Sequence, residues 1–290
     1  MALFDSEFLK KLEYLALVAR RVFRGELLAQ RRTRQLGGGI EFADHREYVP
    51  GDDFRHVDWN VFARHDEMLL KRFQEEQDLH VYVLLDCSRS MSIGEKFDYA
   101  RKVAAALAYI ALDDLERVAI SAIGERILDD FPLTRGKNRI LTLLRFLESL
   151  SAGGGDTNFS MAADEFVRRV QRPGVVIVVS DFFDPRGFER GLDLLRYRQY
   201  EPHVVQVFDP RDADPDLLGD IELLDVETNG LRKVTVTEAH QKRYREVFAA
   251  FVERVLRYCR NYGLGCTQTS TELPFDELIL RMMRAAGAVR

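Results

Sequence analysis

Three short stretches carry side chains that could meet around a metal ion. Asp86, Ser88 and Ser90 alternate in DCSRSMS, Thr157 stands in GDTNF, and Asp181 follows Ser180 in SDFFD. Two carboxylates and three hydroxyls make an oxygen donor set suited to a hard cation, magnesium first, with manganese and calcium in the same class. The sulfur or imidazole that would favour zinc or copper is missing. Magnesium demands six oxygens at about 2.0–2.1 Å and gives up water reluctantly. Neutral hydroxyls leave it under-neutralised. An ion held this way keeps water in its shell and accepts one more carboxylate from outside, which is adhesive rather than catalytic chemistry.

For these stretches to meet, each must leave the same edge of a sheet. LHVYVLL (79–85), RVAISAI (117–123), GVVIVVS (174–180) and PHVVQVF (202–208) are continuous apolar runs, the pattern of strands buried on both faces. Helical segments separate them over 95–114, 137–150, 159–171 and 187–199. RILDDFPL is expected to return beside RVAISAI as a hairpin, and IELLDV and LRKVTV flank Asn229-Gly230 as a second one. A long helix with apolar positions at Tyr244, Phe248, Phe251, Val255 and Cys259 follows, then CTQTST and a last helix opened by Pro274. Such alternation predicts an α/β fold, a doubly wound, mostly parallel sheet with helices on both faces. Ligands of such sheets bind beyond the carboxyl ends of the strands. Asp86 and Asp181 stand at two of those ends, and Thr157 lies in a loop behind the glycine run 153–155.

Residues 7 to about 23 have helical spacing through Phe8, Leu12, Leu15, Ala19 and Val22. Arg20, Arg21, Arg24, Arg31, Arg32 and Arg34, with Glu26 as the one acid, then form a basic connector closed by glycines 37–39. Such a stretch is either a solvated charged face or a contact for an acidic surface or a nucleic acid. Residues 40–77 are polar and aromatic without helical period. Pro50-Gly51 marks a turn, and Val57, Trp59, Val61 and 68–73 suggest short extended pieces. His45, His56 and His65 lie among carboxylates but lack the close pair spacing of a helix-borne zinc motif, and read as surface and interface residues. The expected organisation is an N-terminal helix, connector and irregular segment over 1–77, then an α/β domain over 78–290.

The set Asp86, Ser88, Ser90, Thr157 and Asp181 resembles the metal-ion-dependent adhesion site of von Willebrand A domains, which have a Rossmann-like sheet. The resemblance implies direct ligation by Ser88, Ser90 and Thr157, with Asp86 and Asp181 acting through water or holding the hydroxyls. EFADHREYVPGDDFRHVDWNVFAR (41–64), just ahead of the first strand, is similar to the signature of a bacterial family of unknown function. Its members carry such a domain and are often encoded beside MoxR-type AAA+ ATPases. That implies an adaptor or chaperone-like role with such an ATPase, or with a client offering an exposed acid. Many members begin with membrane helices that this chain lacks, which points to a soluble one.

The chain of 290 residues, 46% of them hydrophobic, has room for one large α/β domain with an extension. A formal net charge of −5 argues against a general nucleic-acid binder. Cys87, Cys259 and Cys266 form no CxxC pair and fit a reducing cytosol. The N-terminus has no signal-peptide character, and no stretch approaches about 18 consecutive apolar residues, so a soluble cytoplasmic protein without a membrane span is expected. Simpler roles compete for the site residues. Ser88, Ser90, Thr157 and Asn158 could serve only as helix N-caps, and Asp181 could pair with an arginine. Cys87, with no base beside it, reads as a packed thiol. A magnesium-dependent phosphatase of haloacid-dehalogenase type also places an Asp after its first strand. It needs a second Asp two residues on for proton transfer, and Ser88 stands there. GxxxxGK[ST] and GxSxG are both absent, and no catalysis is expected. The acidic stretch Asp209, Asp212, Asp214, Asp216 and Asp220 reads as an exposed loop and hairpin or as charge that selects a partner.

Overall fold

The apolar stripe Phe8, Leu12, Leu15 and Ala19 is buried on α1 (Ser6–Phe23), where the Phe8 ring lies 4.9 Å from that of Phe275 and Lys11 reaches Asp276. The computed structural model describes residues 3–23, 36–37, 41–74, 79–153, 157–215, 217–224 and 231–288. The connector residues Arg24, Arg31, Arg32 and Arg34, the glycines 154–155, Asp216 and the turn 227–230 lie outside them. Contacts divide the chain into Met1–Ala19 with Leu79–Val289, and Arg20–Asp78. The sequence reading joins the first helix to the irregular segment. The structure groups most of it with the sheet unit, because the stripe needs an apolar cover and finds it beside Phe275.

The smaller unit is built on β1 (Leu36–Gly37), β2 (Glu41–Glu47), α2 (Trp59–His65) and β3 (Leu69–Gln74), with β3 antiparallel to both other strands. The sequence predicts extended structure around Trp59 and Val61; a helix stands there instead. Asp58 is the reason. Its carboxylate caps the helix by accepting from Asn60 N at 3.0 Å and Val61 N at 3.3 Å. It also lies 2.9 Å from His45 Nε2 and 3.3 Å from Lys71 Nζ. Thus His45 is tied to a structural carboxylate, and the polar segment is organised around one buried acid.

The larger unit carries β4 (His80–Asp86), β5 (Arg117–Ile123), β6 (Ile127–Arg135), β7 (Val175–Ser180), β8 (Glu201–Phe208), the separate hairpin partners β9 (Gly219–Leu224) and β10 (Leu231–Val236), and β11 (Gly265–Ser270). The six-stranded sheet runs β11-β8-β7-β4-β5-β6, all parallel except β6. Counted along the chain, this is the 3-2-1-4-5-6 order of doubly wound sheets, with its switch point between β4 and β7. On β6 the register passes from Thr134 opposite Val118 to Phe131 opposite Ile120, so one extra residue bulges beside Pro132.

The helices are α3 (Lys96–Asp113), α4 (Ile140–Ser149), α5 (Phe159–Arg169), α6 (Glu189–Tyr197), the single turn α7 (Pro210–Ala213), α8 (Glu238–Asn261) and α9 (Phe275–Ala288). Tyr82, Leu84, Val176, Val178 and Val204 face a core shared with α5, α6 and α8. Val81, Val83 and Leu85 alternate to the opposite face, where the alanine-rich α3 lies on β4 and β5. Among the described residues no helix is long and apolar enough to cross a membrane.

Candidate metal centre

At the end of β4 the Asp86 carboxylate bends back to accept from Ser88 N at 2.8 Å, the local turn that Asp favours. The chain then enters a short 3-10 turn over Ser90–Ser92. Ser88 Oγ and Ser90 Oγ are 3.1 Å apart, and Ser90 Oγ donates to Asp181 Oδ1 at 3.1 Å. From β7, Ser180 Oγ donates to Asp86 Oδ2 at 2.5 Å. Carboxylates and hydroxyls from the two strands that flank the switch point therefore form one buried network. Phe182, next to Asp181, has φ +61°, a left-handed conformation that costs a residue with a Cβ about 1–2 kcal/mol. Packing of its ring between Phe159 and Phe188 offsets that cost.

The Thr157 loop is fastened to both of the others. Gly153 N donates to Cys87 O at 3.0 Å, Asn158 N to Gly124 O at 3.2 Å, Phe159 N to Asp184 Oδ2 at 2.9 Å, and Arg186 Nη1 to Thr157 O at 3.0 Å. Asn158 is the N-cap of α5, accepting from Met161 N. Thr157 caps nothing: its Oγ1 is buried and has no hydrogen-bond partner among the described residues. Among the described residues no side chain caps α3 or the 3-10 turn either, so Ser88 and Ser90 are not spent as caps there. Asp181 pairs with a lysine, not an arginine: Lys96 Nζ lies 2.8 Å from its Oδ2 and 3.0 Å from Asp212 Oδ2.

Burial pushes the Asp86 carboxyl up to about 6, helped by the neighbouring Asp181 charge and opposed by hydrogen bonds from Ser180 and Ser88. Burial works against charge on Lys96, but Asp181 and Asp212 outweigh it and hold the ammonium above its ordinary range. Burial also drives the Cys87 thiol up to about 12, as expected of a packed cysteine. Asp209 and Asp212 are not exposed loop residues. They form a reciprocal capping box on α7, Asp209 also binds Arg211, and both turn inward. Gly94, at φ +69°, leaves the space for this: a Cβ there would stand 2.2 Å from Asp209 Oδ2. Lys96, Ser180 and Asp212 are the participants that sequence reasoning misses. A hydroxyl at the very end of the most apolar strand was the one signal available, for Ser180.

A profile of the family described as protein of unknown function DUF58 matches residues 44–255, a span that takes in all five expected ligands. The chain belongs to this family. An uncharacterized protein of Mycobacterium tuberculosis is 26% identical over 293 residues, covering 98% of this DUF58 chain and 92% of its own length. The uncharacterized protein YeaD of Bacillus subtilis is 25% identical over 138 residues, 48% of this chain and 33% of its own. Among solved structures, the conserved hypothetical protein BatB from Bacteroides thetaiotaomicron aligns at 15% identity and a TM-score of 0.42, covering 73% of this chain and 100% of that one.

Proposed function

We propose that the sheet unit is a von Willebrand A-like domain whose strand-end loops hold a magnesium ion, and that the protein is a non-catalytic adaptor. The partner is a protein offering an exposed Glu or Asp, with a MoxR-type AAA+ ATPase as the first candidate from the family resemblance. The observation that carries the reading is the buried Thr157 hydroxyl. It lacks a partner among the described residues, in a loop tied by hydrogen bonds to the loops of Asp86 and Asp181. A buried hydroxyl without a partner costs about 1–3 kcal/mol, and an ion would satisfy it. The donor set fits a hard cation as well. Among the described residues no three His, Cys, Asp or Glu side chains gather as a metal site needs, so an ion here depends on the hydroxyls. Ser88, Ser90 and Thr157 would hold it, and the hydrogen bonds from Asp86 to Ser88 N and from Ser90 to Asp181 suit supporting carboxylates. A bound ion would supply an open coordination position for the partner's acid.

Calorimetric titration of the chain with magnesium is expected to give one saturable site, and recovery of a MoxR-type ATPase on the immobilised protein is expected to fall when EDTA is added. Recovery indifferent to EDTA overturns the metal bridge, and robust turnover of phosphate esters would revive phosphatase chemistry. Thr157→Val is the sharper probe. It keeps the shape and removes the hydroxyl, so thermal stability without metal is expected to hold or rise by about 1 kcal/mol. Magnesium affinity is expected to fall about tenfold, the equivalent of one lost ligand. Unchanged affinity in Thr157→Val would remove the hydroxyl from the site.

A further inference from the structure

Lys96 is the one ammonium in the buried network just described, and neither the donor pattern nor the family resemblance accounts for it. Its side chain is 0% exposed. Lysine is almost never fully buried unless paired, and here two acids receive it, Asp181 at 2.8 Å and Asp212 at 3.0 Å. The Phe183 ring lies 5.0 Å from the same ammonium and closes it in. The arrangement divides Asp181 between two tasks: Oδ2 is held by Lys96, and Oδ1 is left to Ser90.

We infer that Lys96 is a tethered cation that sets how tightly the site holds its divalent ion, with Asp212 as its counterweight. This rests on the magnesium reading above. Asp86, Asp181 and Asp212 bring three negative charges to the network and Lys96 brings one positive charge. The remaining two equal the charge of a single divalent ion. Asp209 is neutralised separately by Arg211. Lys96 therefore keeps the site from over-attracting cations: it repels the ion through Asp181 and keeps one oxygen of that carboxylate out of the ion's reach. Asp212 draws the ammonium away from Asp181 and so relaxes that restraint. An adhesive ion must keep a vacancy for a partner's acid, and a site too rich in its own carboxylates would fill it.

The test compares magnesium titrations of the full chain as wild type, Lys96→Met and Asp212→Asn. Lys96→Met is expected to bind magnesium about tenfold more tightly, since one repelling charge is gone from the ion's surroundings. Its melting temperature should drop without metal and recover when magnesium is added. Asp212→Asn is expected to bind several-fold more weakly, because Lys96 then leans on Asp181 alone. Wild-type binding with equal or weaker affinity in a cooperatively melting Lys96→Met protein overturns the inference while leaving the magnesium site standing. If Lys96→Met does not fold, Asp212→Asn decides alone: unchanged or tighter binding overturns the inference. Silence of the wild type and both variants removes the site itself, and the role of Lys96 with it.

Discussion

Asp86→Asn is expected to abolish magnesium binding while leaving the metal-free protein as stable as the wild type, or more so. The substitution keeps the shape of the side chain and an oxygen for Ser88 N, and Ser180 can turn its hydroxyl to accept from the new amide. It removes a charge that burial and Asp181 both disfavour. The same charge gives the metal-free wild type a distinctive pH dependence. The folded state keeps the Asp86 proton up to about pH 6, whereas the unfolded chain releases it near the ordinary aspartate value of 3.8. Across that window the folded state binds more protons, so this group makes stability fall as pH rises, and the cost is complete above the folded pKa. The effect is expected to reach about 1–3 kcal/mol. Asp209, held down at about 2 by Arg211, contributes the opposite slope at lower pH, but it does so equally in both proteins. Thermal melts of the pair between pH 4 and 7 without metal should therefore converge at the acid end and separate towards neutrality. Parallel melting curves, or retained magnesium binding in Asp86→Asn, would contradict this account of the site.

Phe166→Ala is expected to cost about 3–5 kcal/mol. The ring is 1% exposed and lies 5.4 Å from Tyr82 and 5.4 Å from Tyr200, which are themselves 6.1 Å apart. Both tyrosines are pinned by their hydroxyls, Tyr82 to Arg172 O and Tyr200 to Val170 O, so they cannot easily close over a void. A pocket of about 350 Å³ already opens beside Phe166, lined also by Ile127, Phe131 and Leu133. Truncation would enlarge it, and collapse would be poor. The melting temperature should fall by roughly 6–20 °C. Magnesium affinity of the folded protein at 25 °C is expected to be unchanged, because Thr157 and Asn158 are secured at the other end of α5 by Gly124, Asp184 and Arg186. A loss below about 1 kcal/mol would show that the three-ring cluster does not act as a core.

The elements of the large unit were legible because strands buried on both faces have to be continuous apolar runs. The runs at 79–85, 117–123, 174–180 and 202–208 correspond to β4, β5, β7 and β8. Their lateral order was not legible, since an apolar run carries no information about its neighbour. The helix at Trp59–His65 went unread because one capping carboxylate, Asp58, outweighs a segment without helical period. In the site, alternating Asp and Ser at a strand end pointed to Asp86, Ser88 and Ser90, which do link to Asp181 through hydrogen bonds. The pairing of Lys96 with Asp212 was not legible in the sequence. A lysine in the first turn of a helix and an acid in an acid-rich stretch are ordinary surface signals, and only the tertiary fold buries them together.

The bulge and Pro132 on β6 bear on how this protein can be approached. An outer strand with an unbroken row of backbone donors invites another chain to extend the sheet sideways, the route to fibrillar association and to capture of extended peptides. Here the antiparallel outer strand β6 lacks one donor at Pro132 and shifts by a residue, features that disfavour lateral growth on that flank. A chain adding to the sheet would therefore be expected to pair less well along β6 than along a regular outer strand.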